Sequence, residues 1–218
     1  MKVLVACEES QRVCTEFRKN GHEAYSCDII DQSGGHPEWH IMQDVLPLLN
    51  GGCEFTTTDG EKHVIPGQWD MIIAFPPCTY ISNAGACRLY PKKGQLDIER
   101  YKKGLEGKAF FLKILNADCG KIAVENPVHS KVFKMPKFTQ EIQPYQFGHP
   151  YSKKTRLWLK GLPLLQATDI LTEYTPFLPS STGRKIKEKY GAKECGHNGY
   201  DRSKTFPGIA KAMAEQWG

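Results

Sequence analysis

Three features of the 218-residue sequence predict an α/β fold built around a mostly parallel central sheet. Apolar runs of strand length recur at Lys2–Ala6, Met71–Ala74 and Lys121–Val124, and segments with a helical apolar period separate them. The succession from Met71 to Val124 reads as strand, turn, helix and strand, the order of a βαβ unit with its parallel strands. Hydrophobic residues make up 40% of the chain, which at this length supports one substantial domain rather than two large ones.

After the first strand, Ser10 is positioned to cap a helix running to about Lys19, with Val13, Cys14, Phe17 and the stem of Arg18 turned inward and Gly21 as its stop. His22–Ile29 reads as a second strand. Residues 50–67 read as a hairpin insertion, because Glu54–Thr58 and Glu61–Ile65 flank the turn pair Asp59-Gly60. The Met71–Ala74 strand follows, then a stretch from about 80 to 104 rich in Gly and Lys, expected as a long mobile loop of the kind that serves as a lid. A helix is expected over Leu105–Asn116, with an apolar stripe through Leu105, Ala109, Leu112 and Leu115, before the strand Lys121–Val124. Internal repeats are absent. Eight cysteines without a regular framework, together with the lack of an export signal or long apolar span, lead to the expectation of a reducing, cytoplasmic setting with no membrane partner.

Two short motifs carry chemistry. Phe75-Pro76-Pro77-Cys78 follows an apolar strand directly, so two residues of fixed φ hold a thiol at the strand's exposed end. Glu125-Asn126-Pro127 ends the later strand, so a carboxyl group reaches the same edge if the two strands are neighbours. Alone, the first is an ordinary turn with a small apolar cysteine and the second a helix cap; together they read as nucleophile and acid. The net charge of +5 is mild, but the basic residues cluster. Arg88, Lys92, Lys93, Arg100, Lys102 and Lys103 follow the thiol; Lys131, Lys134 and Lys137 follow Glu-Asn; and Arg184, Lys185, Lys187, Lys189 and Lys193 form a third group. Such groups neutralise phosphates when they share a face and are otherwise a solvated surface. Cys195-Gly196-His197 and the pair His36 and His40 lack paired-ligand spacing, so no metal is expected.

Together these motifs resemble the cytosine-C5 DNA methyltransferases, whose nucleophile lies in a Pro-Cys loop and whose essential Glu lies in a Glu-Asn dipeptide. The likeness extends in family order through Lys2–Ala6, Ser26-Cys27-Asp28-Ile29, Gln43-Asp44-Val45, the basic motif Ser152–Trp158 and the closing segment Phe206–Met213. It implies a Rossmann-like S-adenosylmethionine-dependent methyltransferase fold, acting as a monomer on a cytosine flipped out of DNA. By the same resemblance, Cys78 is the nucleophile and Glu125 the acid at ring N3, with Arg156, and Lys154 as second choice, assisting. The cofactor is expected among Cys7, Glu8, Glu9, Ser10, Asp28, Ile29, Asp44, Val45, Phe75 and Pro76. In this reading Asp28 meets the ribose, Ile29 and Asp44 meet the adenine, and Glu8 or Glu9 meets the methionine ammonium. Ser82, Asn83, Arg88, Lys92, Lys93, Arg184 and Lys185 are the expected nucleic-acid contacts.

The chain departs from the family in three places, one of them Arg202-Ser203-Lys204-Thr205, which stands where the family usually has an Asn before its closing helix. Cys7-Glu8-Glu9-Ser10-Gln11 stands where a Gly-rich turn is usual, and only residues 160–203 are available for target recognition before the closing helix at 204–218. A short or relaxed recognition sequence is therefore expected of a compact, stand-alone, phage-type enzyme with residues 1–159 as its core. RNA cytosine, a free pyrimidine nucleotide or a noncatalytic binding role remain as alternatives.

Overall fold

The computed structural model describes residues 1–86, 88–177 and 203–218. Seven strands form the central sheet: β1 (Lys2–Ala6), β2 (Glu23–Asp28), β3 (His40–Met42), β6 (Met71–Ala74), β7 (Ile122–Pro127), β8 (Gln140–Ile142) and β10 (Thr155–Lys160). Their spatial order is β3-β2-β1-β6-β7-β10-β8. The first five are mutually parallel, while β10 runs antiparallel to both β7 and β8. Two small ladders stand apart: the hairpin of β4 (Cys53–Thr56) with β5 (Lys62–Ile65), and the pair β9 (Tyr151–Ser152) with β11 (Thr175–Pro176).

Side chains alternate across a strand, and here both faces are covered, which is why the central strands read as unbroken apolar runs. Val3, Val5, Met71, Ile73, Ala123 and Leu157 face one side with residues of α1 (Arg12–Lys19) and, at the chain's end, the helix Pro207–Trp217. Leu4, Ala6, Ile72, Ala74, Ile122, Val124 and Trp158 face the other, against the hairpin and the helix Ile98–Leu115. With the short helix α2 (Asn83–Ala86), these last two are α3 (Ile98–Leu115) and α4 (Pro207–Trp217). Each fully buried Phe or Leu on these faces contributes about 1.5–3 kcal/mol.

Two helices differ from expectation. α1 begins at Arg12, and Ser10 does not cap it: Gln11 holds the N-cap position with φ 55° and makes no side-chain cap. The carboxylate of Glu8 accepts from the amides of Val13 (2.7 Å) and Cys14 (3.1 Å) instead. α3 begins at Ile98 rather than Leu105, on an Asp97 cap that accepts from Arg100 N at 2.9 Å, so the last part of the expected loop is helical. Its buried side is Gly104, Phe111 and Ile114, which turns Leu105 outward at 42% exposure. Gly104 sets this register, since a Cβ there would lie 2.2 Å from the Phe133 ring. No described helix is long and apolar enough to cross a membrane.

Candidate active site

In an open parallel sheet, ligands bind beyond the carboxyl ends of the strands where the strand order reverses. That point lies between β1 and β6, and both chemistry-bearing motifs emerge beside it. Phe75 N donates to Ala6 O at 3.0 Å, so the chain leaves β6 still attached to β1 before entering Pro76-Pro77-Cys78. The carbonyl of Cys78 then accepts from Ile81 N (3.2 Å) and Ser82 N (2.9 Å), closing a turn in which the half-buried Cys78 side chain packs against the cluster of Ile81, Leu89 and Phe133. Only glycine fits at position 85, because a Cβ there would lie 1.9 Å from Thr79 O. Arg100 fastens the turn from α3: its guanidinium donates to Gly85 O at 2.9 Å and lies 5.0 Å from the centre of the Tyr80 ring.

The β7 motif is tied to this turn at several points. Buried Asn126 donates its Nδ2 to Pro76 O at 3.1 Å. Beyond it, Asn83 N donates to Val128 O (2.9 Å) and Ser130 N to Ile81 O (2.8 Å), so Ser82 and His129 form an antiparallel bridge. The Cys78 turn and the Glu125 strand therefore form one hydrogen-bonded unit, although 46 residues lie between Cys78 and Glu125 in the chain.

Glu125 is half-buried and lines a small cavity of about 20 Å³ with Phe75, Lys153, Thr155, residues 203–206, Ile209 and Met213. Burial pushes its carboxyl above the usual range, and the nearby Lys153 ammonium opposes that shift. A carboxyl so placed keeps its proton to higher pH than an exposed Glu and can donate it.

The register of β10 on β7 separates the expected catalytic residues. Glu125 lies opposite Leu157, whereas Asn126 lies opposite Arg156. Directly opposed residues share a face, so Glu125 and Arg156 project to opposite sides of the sheet. Arg156 and Lys154 both turn to Glu141, at 3.4 and 3.3 Å, and the Arg156 guanidinium stacks 4.3 Å from the Phe138 ring centre. They are not brought to Glu125. Lys153 and Thr155, which the sequence reading passed over, take that place. The alternation of β10 was legible, but which half faces Glu125 depends on a pairing register that has no local signal.

On the other flank, Cys7 follows β1 with φ 58°, the left-handed conformation that a glycine would supply more easily. Burial pushes the Cys7 thiol up, with Asp28, Cys27 and Asp44 adding to the effect, so these groups meet at the carboxyl ends of β1 and β2 and just past β3. Asp28 is half-buried and its carboxyl is likewise raised by burial. Ile29 is 76% exposed, and Ile30 and Met42 are also exposed, forming an apolar ledge beside the Asp28 and Asp44 carboxyls. Asp44 is exposed and accepts from Leu46 N at 3.0 Å, whereas Val45 is buried in the core.

Within the turn, Glu8 is buried with both oxygens on α1 amides, and burial pushes its carboxyl up to about 7. Glu9 accepts from the Ser33 hydroxyl. Gly34 packs over the turn, where a Cβ would lie 2.5 Å from the Gln11 side chain and 2.9 Å from Ser10 O. The turn is thus filled by its own chain where a Gly-rich turn would leave room.

Of the expected nucleic-acid contacts, Asn83, Arg88, Lys92 and Lys93 are exposed. Ser82 is buried, its hydroxyl accepting from Gly85 N at 3.1 Å, which makes it part of the turn rather than of the surface. Arg184 and Lys185, the rest of that basic group and Cys195-Gly196-His197 lie outside the described residues. Among the described residues, no group of three or more His, Cys, Asp or Glu is arranged to hold a metal ion.

No family model matches the sequence, and no curated protein matches it. Among solved structures, the chain is similar to a protein described as a DNA modification methyltransferase encoded within an E. coli prophage, at 14% identity and TM-score 0.44, over 78% of this chain and 52% of that one. It is also similar to a DNMT2 variant of Spodoptera frugiperda, at 16% identity and TM-score 0.39, over 82% of this chain and 55% of that one. The chain spans about half the length of both.

Proposed function

We propose that this chain is an S-adenosylmethionine-dependent DNA methyltransferase that acts at C5 of cytosine, with Cys78 as nucleophile and Glu125 as acid. The observation that carries this reading is the tie between Asn126 and Pro76 O, reinforced by the bridge of Ser82 to His129. It makes the thiol turn and the carboxyl strand a single unit beside the switch point, the arrangement that an attack on one ring by two groups requires.

Cytosine C5 is too weak a nucleophile to take a methyl group directly. The Cys78 thiolate adds to C6, and the electron pair of the C5–C6 double bond is pushed into the ring. Glu125, whose carboxyl burial pushes above the usual range, donates its proton to N3 and stabilises the charge that develops there. C5 then takes the methyl group as the bond from that methyl to the donor sulfur breaks and its electron pair stays on sulfur; a base removes the C5 proton, the returning pair expels Cys78 from C6, and the N3 proton returns to Glu125. Lys153, beside Glu125, is the cation that opposes this shift, and it stands where the family resemblance put Arg156 as an assisting residue.

When bound, S-adenosylmethionine supplies the methyl group. The adenosine end fits the residues present: the Ile29, Ile30 and Met42 ledge offers an apolar surface for a base, and Asp28 and Asp44 offer acceptors for hydroxyl and amino groups. At the methionine end, Glu8 already occupies the α1 amides, so an anionic carboxylate finds no open helix terminus there, and Glu9, which accepts from the Ser33 hydroxyl, is the next carboxylate of the turn that an ammonium would meet. Exposed Asn83, Arg88, Lys92 and Lys93 supply phosphate contacts, and 160–203 the recognition region.

Trapping tests the whole reading. Duplex DNA carrying 5-fluorocytosine, incubated with protein and S-adenosylmethionine, should give a denaturant-stable adduct, because fluorine blocks the final elimination. Cys78→Ser should give none, and a matching RNA arm decides the nucleic acid. DNA binding without any adduct would reject the mechanism.

A further inference from the structure

The apolar stripe expected of α3 runs largely outside the core. Gly104, Phe111 and Ile114 take the buried side, so Leu105 is 42% exposed, Ala109 is exposed and Leu112 is only half-buried. Residues three and four apart share a helix face, so these three form a continuous outward seam. Beside it, Ala109, Leu112, Lys113 and Asn116 of α3, with Leu46 and Leu49 from the segment after β3, line an open groove of about 670 Å³. Two exposed, opposite charges, Glu106 and Lys113, flank the seam on one side. Seven residues put them roughly 10 Å apart along the helix axis, too far to pair with each other. Lys102 and Lys103, four and three residues before Glu106, turn instead to Glu99 at 3.0 Å and to Tyr80, 5.6 Å from its ring centre. No acid stands three or four residues from Lys113.

We propose that this seam is the interface of a homodimer, in which α3 packs antiparallel on α3 of a second copy about a two-fold axis through Ala109. A two-fold interface must be self-complementary, and the seam is so in this arrangement. Leu105 lies four residues before Ala109 and Leu112 three after it; Glu106 lies three before and Lys113 four after. Inverting one helix on the other therefore sets Leu105 against Leu112 and Glu106 against Lys113, each contact made twice. Leu105 of each copy enters the groove of the other beside Leu46 and Leu49, and the small Ala109 at the crossing lets the helix axes approach. Leucines leaving water supply the attraction, while the exposed ion pairs add little affinity and fix register and direction. Lys102 comes opposite Asn116, an uncharged amide, so like charges do not meet at the ends. The inference stands apart from the proposed reaction and assigns a pair where the resemblance implied a single chain.

Sedimentation equilibrium of the full chain, from about 1 to about 200 µM, tests the pairing. The average mass should rise with concentration from that of one chain toward that of two. Leu105→Asp, a change at an exposed position, should weaken association about 100-fold or more by placing a carboxylate in each groove. Glu106→Lys alone, or Lys113→Glu alone, turns both ion pairs into repulsions and should weaken it about tenfold. An equimolar mixture of these two variants regains both pairs in a mixed dimer, and the double variant regains them in one chain, so each should associate within about threefold of wild type. Misfolding of a single variant would persist in the mixture, so recovery there reports the contact itself. A mass that stays at one chain throughout, single reversals that associate as wild type does, or a mixture that fails to recover overturns the proposal. Association that survives Leu105→Asp places the dimer on another face and overturns it too.

Discussion

Replacing Glu8 with Gln separates the role of this carboxylate as a buried cap from that of an ordinary surface acid. In the wild type, two α1 amides hold the side chain at 2.7 and 3.1 Å, and both lower its pKa; burial outweighs them and moves it from 4.5 to about 7. Between those values the folded protein keeps a proton that the unfolded chain has released. The stabilisation is therefore fully present below pH 4.5 and is lost as pH rises to about 7. Each pH unit of that window is worth about 1.4 kcal/mol, so the whole amounts to roughly 3 kcal/mol. Gln resembles the protonated acid: one oxygen still accepts an amide, and the second amide loses a partner worth about 1 kcal/mol.

The difference in unfolding free energy between Glu8→Gln and wild type should accordingly move in the variant's favour by roughly 2–3 kcal/mol from pH 5 to pH 8. All other titrating groups are common to both proteins and cancel. Urea unfolding followed by the fluorescence of the four tryptophans measures it at successive pH values. A difference that stays flat with pH, or moves against the variant, would refute the assignment of Glu8 as a cap whose charge is costly to bury.

Other outcomes are equally specific. Gly85→Ala forces a Cβ to within 1.9 Å of Thr79 O and must reshape the turn under Cys78, so trapping on 5-fluorocytosine DNA should slow about 100-fold, and a rate within twofold of wild type would contradict the geometry. Lys153→Met removes the cation that lowers the Glu125 pKa, so the alkaline limb of the pH–rate profile should move to higher pH; a shift to lower pH would exclude Lys153 from that role. Phe111→Ala should cost about 3–5 kcal/mol and Leu105→Ala less than about 0.5 kcal/mol, a contrast measured by urea unfolding.

The site departs from its sequence reading where non-local packing decides. Ser10 has the composition of a helix cap, yet Glu8, two residues earlier, takes the α1 amides, because left-handed Gln11 folds the turn back and brings that carboxylate over the helix end. The stripe chosen for α3 ran through Leu105 because leucine is apolar, but contact between Gly104 and Phe133 rotates the helix and puts Leu105 in water. Arg156 carries the charge expected of a catalytic partner and Lys153 the position, a distinction that rests on one residue of register.

Unaided, the order of amino acids determined the elements whose causes are local. Strand-length apolar runs announced a sheet covered on both faces, Pro76-Pro77 announced a stiff turn presenting Cys78, and Glu125-Asn126 announced a carboxyl at a strand end. Only the tertiary structure decided which side chains meet. Strand order puts β6 beside β7, the Asn126 amide reaches Pro76 O, and the pairing of β10 sends Arg156 to Glu141 and leaves Lys153 with Glu125. The physical reason is that conformation along a strand is set by neighbouring residues, while the face and partner of each side chain are set by hydrogen-bond register between segments distant in the chain, where a slip of one residue exchanges the two faces.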